Sequence, residues 1–424
     1  MRLPDDTKLA PPNDFNSSKR VTRRRAMLAG AGATLLPCCS WAASETARID
    51  DVLQTAVADR SIPGVVAAAA DRTGVFYHGA FGLAGMANGR AMRADDLFRI
   101  ASMTKAVTSV AALQSIEQEK FALDDPVQKY LPEFANLKKF ESFDPRTGAY
   151  ALAPITRPVT LRHLFTHTSG IGYPFVSPVL RDFRPRAGEM YPVGPLLFEP
   201  GVRWHYGPST FHLGQVVEKI SGQNLEDYFR MHIFAPLGMH DTFYNVPKDK
   251  EQRLIPVHHR QPDGVIAAAT VPPDPQVQQL RGDGGLASTA ADYIRFTRMI
   301  LNDGELDGAR VLKPDSVAAM RRNQIGNIGV PALKTAIPER SADFSFIADG
   351  RDKWSLGFLI TVDAAPGKRS SGSLSWGGIN NTYYWIDPGR GICGVICMQF
   401  LPFADPGALA LYDAFEHGVY ALKA

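Results

Sequence analysis

The sequence predicts a mixed α/β (α+β) fold: an antiparallel sheet flanked by helices, built from the N- and C-terminal parts of the chain, with a mainly helical region inserted. Three observations carry this. Short apolar, β-branched runs occur near both ends of the chain. The middle instead holds about half of the proline and most of the histidine, in short helical patterns separated by loops. Between the first strands and that middle, Ala101 to Ile116 is apolar almost all round, with Lys105 as its only charge. With 424 residues, 45% hydrophobic and 21% charged, the chain can bury such a core without disulfides.

Each element follows from local pattern. Val65–Ala70 and Val75–Phe81, joined by Asp71-Arg72-Thr73-Gly74, read as a hairpin with a glycine in its turn. Ala101–Ile116 reads as a helix buried on most faces. A further helix is expected from about Ser209, its N-cap, to a stop at Gly222. Another begins at Thr289, with Asp292 three residues on in a capping-box pattern, and stops at Gly304. Strands return at Ser355–Val362, Leu374–Trp376, Tyr383–Asp387 and Gly391–Gln399, and a helix near 406–422 closes the chain. The expected division is an export segment at 1–43, an α/β domain from 44–124 with 261–424, and a helical region at 125–260.

The formal net charge of +3 sits at one end. Residues 1–43 hold seven Lys and Arg against three Asp, a net +4, which leaves −1 for the rest. Arg23-Arg24-Arg25, the apolar stretch Ala26–Leu36 and the small residues Ser40, Ala42 and Ala43 read as an export signal. The consecutive arginines followed by Met27 and Leu28 resemble a twin-arginine signal, which implies a periplasmic or secreted bacterial protein. Pro37 stands where lipid attachment at Cys38 would need a small residue. Cys393 and Cys397 lie four residues apart in one strand, ~13 Å, beyond the ~7 Å limit for a disulfide, so they are packing residues. No apolar run reaches the ~20 residues of a membrane span. The near-neutral mature chain has no basic stripe for nucleic acid.

Several chemistries are absent. There is no G-x-S-x-G elbow, phosphate loop or dinucleotide loop. His163 and His167 have the i, i+4 spacing of a metal motif, but Leu164 stands where its glutamate belongs, so helix packing or a capped loop is expected there and no metal. No cofactor is implied.

Ser102-Met103-Thr104-Lys105 stands out instead. A serine needs an adjacent base to act as a nucleophile, and a lysine three residues on along a helix reaches it. An apolar helix disfavours the ammonium form and so favours a basic amine. Alone the tetrad is weak, since chance gives on the order of one S-x-x-K in this length. A capping serine with a snorkelling lysine explains it equally well. Two further elements follow in chain order. Tyr206, in Trp204-His205-Tyr206-Gly207-Pro208-Ser209, could move a proton in concert with Lys105. Trp376-Gly377-Gly378-Ile379 offers a glycine-rich strand for close substrate approach, with the Ile379 N–H as an oxyanion donor beside that of Ser102. Read singly, Tyr206 is a core aromatic and the glycines a turn.

Together these segments resemble the serine β-lactamase and penicillin-binding-protein superfamily, nearest its class C-related carboxylesterase branch. Leu164-Phe165-Thr166-His167-Thr168-Ser169-Gly170, Glu199-Pro200-Gly201, Pro236-Leu237-Gly238-Met239 and Gly284-Gly285-Leu286-Ala287-Ser288-Thr289 extend the likeness from about 50 to 420. The resemblance implies Ser102 as nucleophile, Lys105 as base and Tyr206 as proton shuttle. Two departures bear on substrate. Pro208 occupies the asparagine position of the Tyr-x-Asn motif, and Trp376-Gly377-Gly378 replaces Lys-Thr-Gly. Losing that lysine removes a charge-assisted hydrogen bond of roughly 1.5–3 kcal/mol to a substrate carboxylate. The expectation is a serine hydrolase of small-molecule esters; the alternatives are an amide hydrolase (a β-lactamase or D-amino-acid peptidase) and a binding protein using the same cleft. Oligomeric state is unreadable.

Overall fold

A computed structural model describes residues 39–59, 61–345 and 350–423, with side chains from Thr46 onward. The expected export segment lies outside the described residues, apart from the backbone that begins helix α1, Cys39–Ala58.

The core is one eight-stranded antiparallel sheet. Its strands are β1 (Gly64–Asp71), β2 (Val75–Gly85), β3 (Arg90–Ala91), β4 (Lys353–Trp354), β5 (Leu359–Ile360), β6 (Leu374–Gly378), β7 (Thr382–Asp387) and β8 (Ile392–Cys397). They lie in the order β4-β5-β6-β7-β8-β1-β2-β3. The join between the two ends of the chain is the β1–β8 pair, in register from Val66 opposite Cys397 to Asp71 opposite Ile392. Residues 65–70 of β1 are almost fully buried and β8 is buried throughout, as central strands covered on both faces require.

Alternation along β7 shows what covers each face. Tyr384 meets Tyr293 of α4 (Ala290–Leu301) at 5.2 Å between ring centroids. Its neighbour Trp385 points the other way, to Phe415 and Tyr412 of α5 (Pro406–Ala421) at 5.6 and 5.9 Å. Helix α1 packs beside α5. Helix α2, Thr104–Glu117, is buried along most of its length and packs on α3, Ser209–Ser221. No helix among the described residues is long and apolar enough to cross a membrane.

Five local expectations need adjustment. Ser355–Val362 is not one strand: Gly357, at φ +107°, turns the chain so that Lys353–Trp354 pairs back on Leu359–Ile360. Ser209 does not cap α3 from outside. It is the first helical residue after Pro208, and its hydroxyl pairs with that of Ser169 at 2.8 Å. Gly222 does end that helix, left-handed at φ +69°. Thr289 caps α4 by accepting the Asp292 N–H at 3.0 Å, but the Asp292 carboxylate accepts from the Asp241 N–H at 2.7 Å instead of closing a capping box. The same helix ends at Leu301, three residues before Gly304. The middle region holds a two-stranded hairpin, Lys138–Phe143 with Tyr150–Pro154, besides its helices.

Candidate active site

Ser102 sits in a single 3-10 turn, Ala101–Met103, that leads into α2. Ala101 carries a left-handed backbone, φ +46°, a conformation costly for a residue with a Cβ and of the kind that collects at functional sites. The surroundings force that turn. The Ile100 N–H donates to the Leu286 carbonyl at 3.0 Å, and Asn380 Nδ2 donates to the Arg99 carbonyl at 2.9 Å. Gly378 at the end of β6 comes so close that a Cβ there would collide with the Ile100 carbonyl oxygen. A Cβ on Gly377 would meet the Tyr383 ring at 2.8 Å. Gly378 therefore lets the sheet press against the serine-bearing turn, while Gly377 makes room for the Tyr383 ring of β7.

Lys105, in the first turn of α2, is 2% exposed. Its Nζ lies 3.1 Å from Ser102 Oγ, 3.1 Å from the Tyr173 hydroxyl and 2.7 Å from the Asp283 carbonyl oxygen. It also stands 4.9 Å from the centre of the Tyr206 ring. Three contacts suit either protonation state: an ammonium donates to all three, and a neutral amine donates two bonds and accepts the serine proton.

Behind that amine lies a second layer. The Tyr173 hydroxyl bonds to Asp283 Oδ2. Arg281 grips the same carboxylate with Nε at 2.9 Å and a terminal nitrogen at 3.0 Å. Burial alone would raise the Asp283 carboxyl, but Lys105, Arg281 and the Tyr173 hydroxyl outweigh it and hold it below the ordinary carboxylate value. Burial first, then the facing Asp283 charge, push the Tyr173 phenol well above its usual range.

The Tyr206 hydroxyl accepts a hydrogen bond from Trp376 Nε1 at 3.2 Å and has none to Ser102 or Lys105 among the described residues. What the amine meets is the Tyr206 ring face. The His167 ring packs against Tyr206 at 5.1 Å. Burial, then Lys105 and His205, keep it well below the ordinary imidazole value and so neutral. Of the two spaced histidines, His163 accepts the Thr160 N–H on Nδ1 as a helix cap. No group of three His, Cys, Asp or Glu among the described residues could hold a metal ion.

A cleft of about 400 Å³ opens over Ser102, lined among others by Tyr173, Phe175, Arg281, Asp283, Arg340 and Ile379. Ser102, Lys105 and the Tyr206 ring thus come together as the sequence suggested. Ile379 reaches the cleft, whereas Trp376 is buried behind Tyr206, Gly377 serves the packing of Tyr383 and Gly378 that of the turn. The aromatic wall facing the cleft is Tyr173 and Phe175, not Trp376. Tyr173, Arg281 and Asp283 escaped sequence reasoning. Their one signal was adjacency, Tyr173 three residues after Gly170 and Asp283 one before Gly284-Gly285.

A large antiparallel sheet covered by helices on both faces, with a Ser-x-x-Lys pair at the head of a buried helix, defines a protein of the β-lactamase/transpeptidase-like class. The chain belongs to the beta-lactamase family, whose model matches residues 49–418. It is 32% identical over 349 residues to the acyltransferase calJ of Penicillium decumbens, covering 78% of this chain and 82% of that protein. It is 31% identical over 397 residues to the lovastatin esterase of Penicillium rubens, covering 88% and 98%. Among solved structures, simvastatin synthase (LovD) from Aspergillus terreus matches with a TM-score of 0.76 at 27% identity, over 89% of this chain and 98% of that one.

Proposed function

We propose that this protein is a serine hydrolase of carboxylic esters that works through an acyl-enzyme on Ser102. The observation that carries the reading is the buried Lys105 Nζ at 3.1 Å from the Oγ of Ser102, which itself lines an aromatic-walled cleft. Ser102 Oγ attacks the ester carbonyl carbon while its proton passes to the Lys105 amine. The N–H groups of Ser102 and Ile379 receive the oxyanion. The carbon–alkoxy bond then breaks, the leaving oxygen takes a proton, and the acyl group stays on Ser102. Water then adds to that ester with its proton passing to the Tyr206 oxygen, the Ser102 oxygen leaves with the proton held on Lys105, and the acid is released with serine, amine and phenol restored.

The leaving-group proton is assigned to Tyr206. Trp376 Nε1 can only donate, so the Tyr206 oxygen accepts from it, and the Tyr206 O–H has no protein acceptor among the described residues. That proton is free to be given away. Replacement of the motif lysine by Trp376-Gly377-Gly378 favours esters without a carboxylate at that subsite. A p-nitrophenyl ester series tests the reading. Ser102→Ala is expected to lose turnover while keeping the wild-type melting temperature, and wild-type kcat/KM in that variant contradicts the assignment.

A second reading has support in the relatives whose names denote acyl transfer. There an alcohol replaces water in the second step, with the same groups on Ser102. Adding an acceptor alcohol to the assay separates the two. A new ester formed at the expense of free acid favours transfer, and unchanged acid release favours hydrolysis.

A further inference from the structure

The layer behind Lys105 carries the inference, which rests on the hydrolase reading above. We propose that Tyr173 and Asp283 are a positioning pair for this reaction: the Asp283 carboxylate holds the Tyr173 proton away from Lys105, which leaves Ser102 as the one protein group to which the amine's lone pair can point.

An ionised carboxylate only accepts, so the proton in the Tyr173–Asp283 bond belongs to Tyr173 and lies on the Asp283 side. The Tyr173 oxygen therefore offers Lys105 a lone pair. The Asp283 main-chain oxygen, 2.7 Å from Nζ, is likewise an acceptor and nothing else. Two N–H bonds of Lys105 are thereby directed to two fixed acceptors. In the neutral amine only the lone pair is left for the third contact, Ser102 Oγ. Lys105 is thus preset to receive the serine proton, and after receiving it needs no turn to hold the new N–H on the serine oxygen.

Arg281 makes the pair rigid by binding the carboxylate through two nitrogens. Asp283 is buried, so these protein partners set its orientation. The other charged or titratable groups facing this cluster are His212 and Tyr244 toward Asp283, and His167 and Tyr206 toward Lys105. His167 and His212 both lie below their ordinary value, burial being the main cause, so neither imidazole supplies a cation to replace Arg281. Asp283 is the one anion in the group, and it bears on Lys105 directly through charge as well as through Tyr173.

Kinetics of Asp283→Asn, Tyr173→Phe and the double variant, on the full chain with Ser102→Ala as reference, test this. Tyr173→Phe removes one oxygen and is expected to lower kcat by about 10- to 150-fold with KM little changed. Asp283→Asn offers an amide donor to Tyr173, which turns the tyrosine proton toward Lys105, and a similar loss of kcat is expected. It also removes the anion that favours the protonated amine. The acid limb of kcat/KM is then expected to move to lower pH. Because Asp283 acts largely through Tyr173, the double variant should lose far less than the product of the two single losses. A fall in kcat with an unmoved acid limb in Asp283→Asn means a structural role only and overturns the proposal. So do unchanged kinetics in both single variants. If Asp283→Asn does not fold, as judged by circular dichroism, Tyr173→Phe decides alone: wild-type kcat overturns the pairing. Activity in Ser102→Ala, by contrast, overturns the hydrolase reading itself.

Discussion

At the scale of residues, two tyrosines flank one lysine and their hydrogen bonds give them different work. The Tyr173 hydroxyl is committed to Asp283, while the Tyr206 oxygen is fed by Trp376 and keeps its own proton available. A proton donor matters most where the departing oxygen is a strong base. Tyr206→Phe is therefore expected to lower kcat/KM for alkyl esters by about 100-fold or more, and for p-nitrophenyl esters far less. A uniform loss across a leaving-group series would contradict the assignment of Tyr206 as the acid. The identities of Ser102, Lys105 and Tyr206 were legible because the first two sit one helical turn apart and the third in a recognisable motif. Tyr173 and Asp283 were not, since 110 residues separate them and no local spacing records a contact made only by folding.

At the scale of elements, the serine-bearing turn is held in its left-handed form by β6 on one side and by the Leu286 carbonyl on the other. Gly378→Ala puts a methyl group into the Ile100 carbonyl oxygen. Overpacking of this kind costs roughly 1–3 kcal/mol. It also displaces Ser102, and a misplacement of about 1 Å can cost 100-fold in rate. Thermal melts and kcat measured together should both fall; full activity in this variant would mean that the turn is not held by β6. The same elements show what pattern can reveal. The hairpin of β1 and β2, the apolar helix α2 and the strands β6, β7 and β8 were visible as runs of buried residues with turn signals between them. Ser355–Val362 misled because its apolar run conceals a turn at Gly357. The hairpin at 138–154 was missed because Lys138-Lys139-Phe140-Glu141-Ser142-Phe143 is largely half-exposed, and β pairing without a buried face leaves little alternation.

At the scale of the molecule, helix α5 is tied to the loop between β5 and β6 by a buried ion pair. Arg369 donates to Glu416 through Nε and a terminal nitrogen, both at 2.7 Å, and its guanidinium also meets the Tyr412 hydroxyl at 2.6 Å. Burial opposes ionisation of Glu416, but Arg369 outweighs it and lowers the carboxyl below its ordinary value. A carboxyl lowered in the folded state adds stability above its unfolded value, near pH 4.3, and that stability is lost as pH falls through the folded one. Glu416→Gln leaves the Arg369 charge buried without its partner and is expected to cost about 3–5 kcal/mol. The variant should also lose part of the wild type's fall in melting temperature below about pH 4, and an unchanged melt at neutral pH would contradict the role of the pair. With sheet, turn and lysine fixed in this way, the central claim concerns one covalent bond. Acid-quenched enzyme taken during turnover of a p-nitrophenyl ester, digested and analysed by mass spectrometry, tests it most directly. The acyl group is expected on the Ser102 peptide of the wild type and not in Ser102→Ala. Rapid hydrolysis with the acyl group on another residue would contradict it.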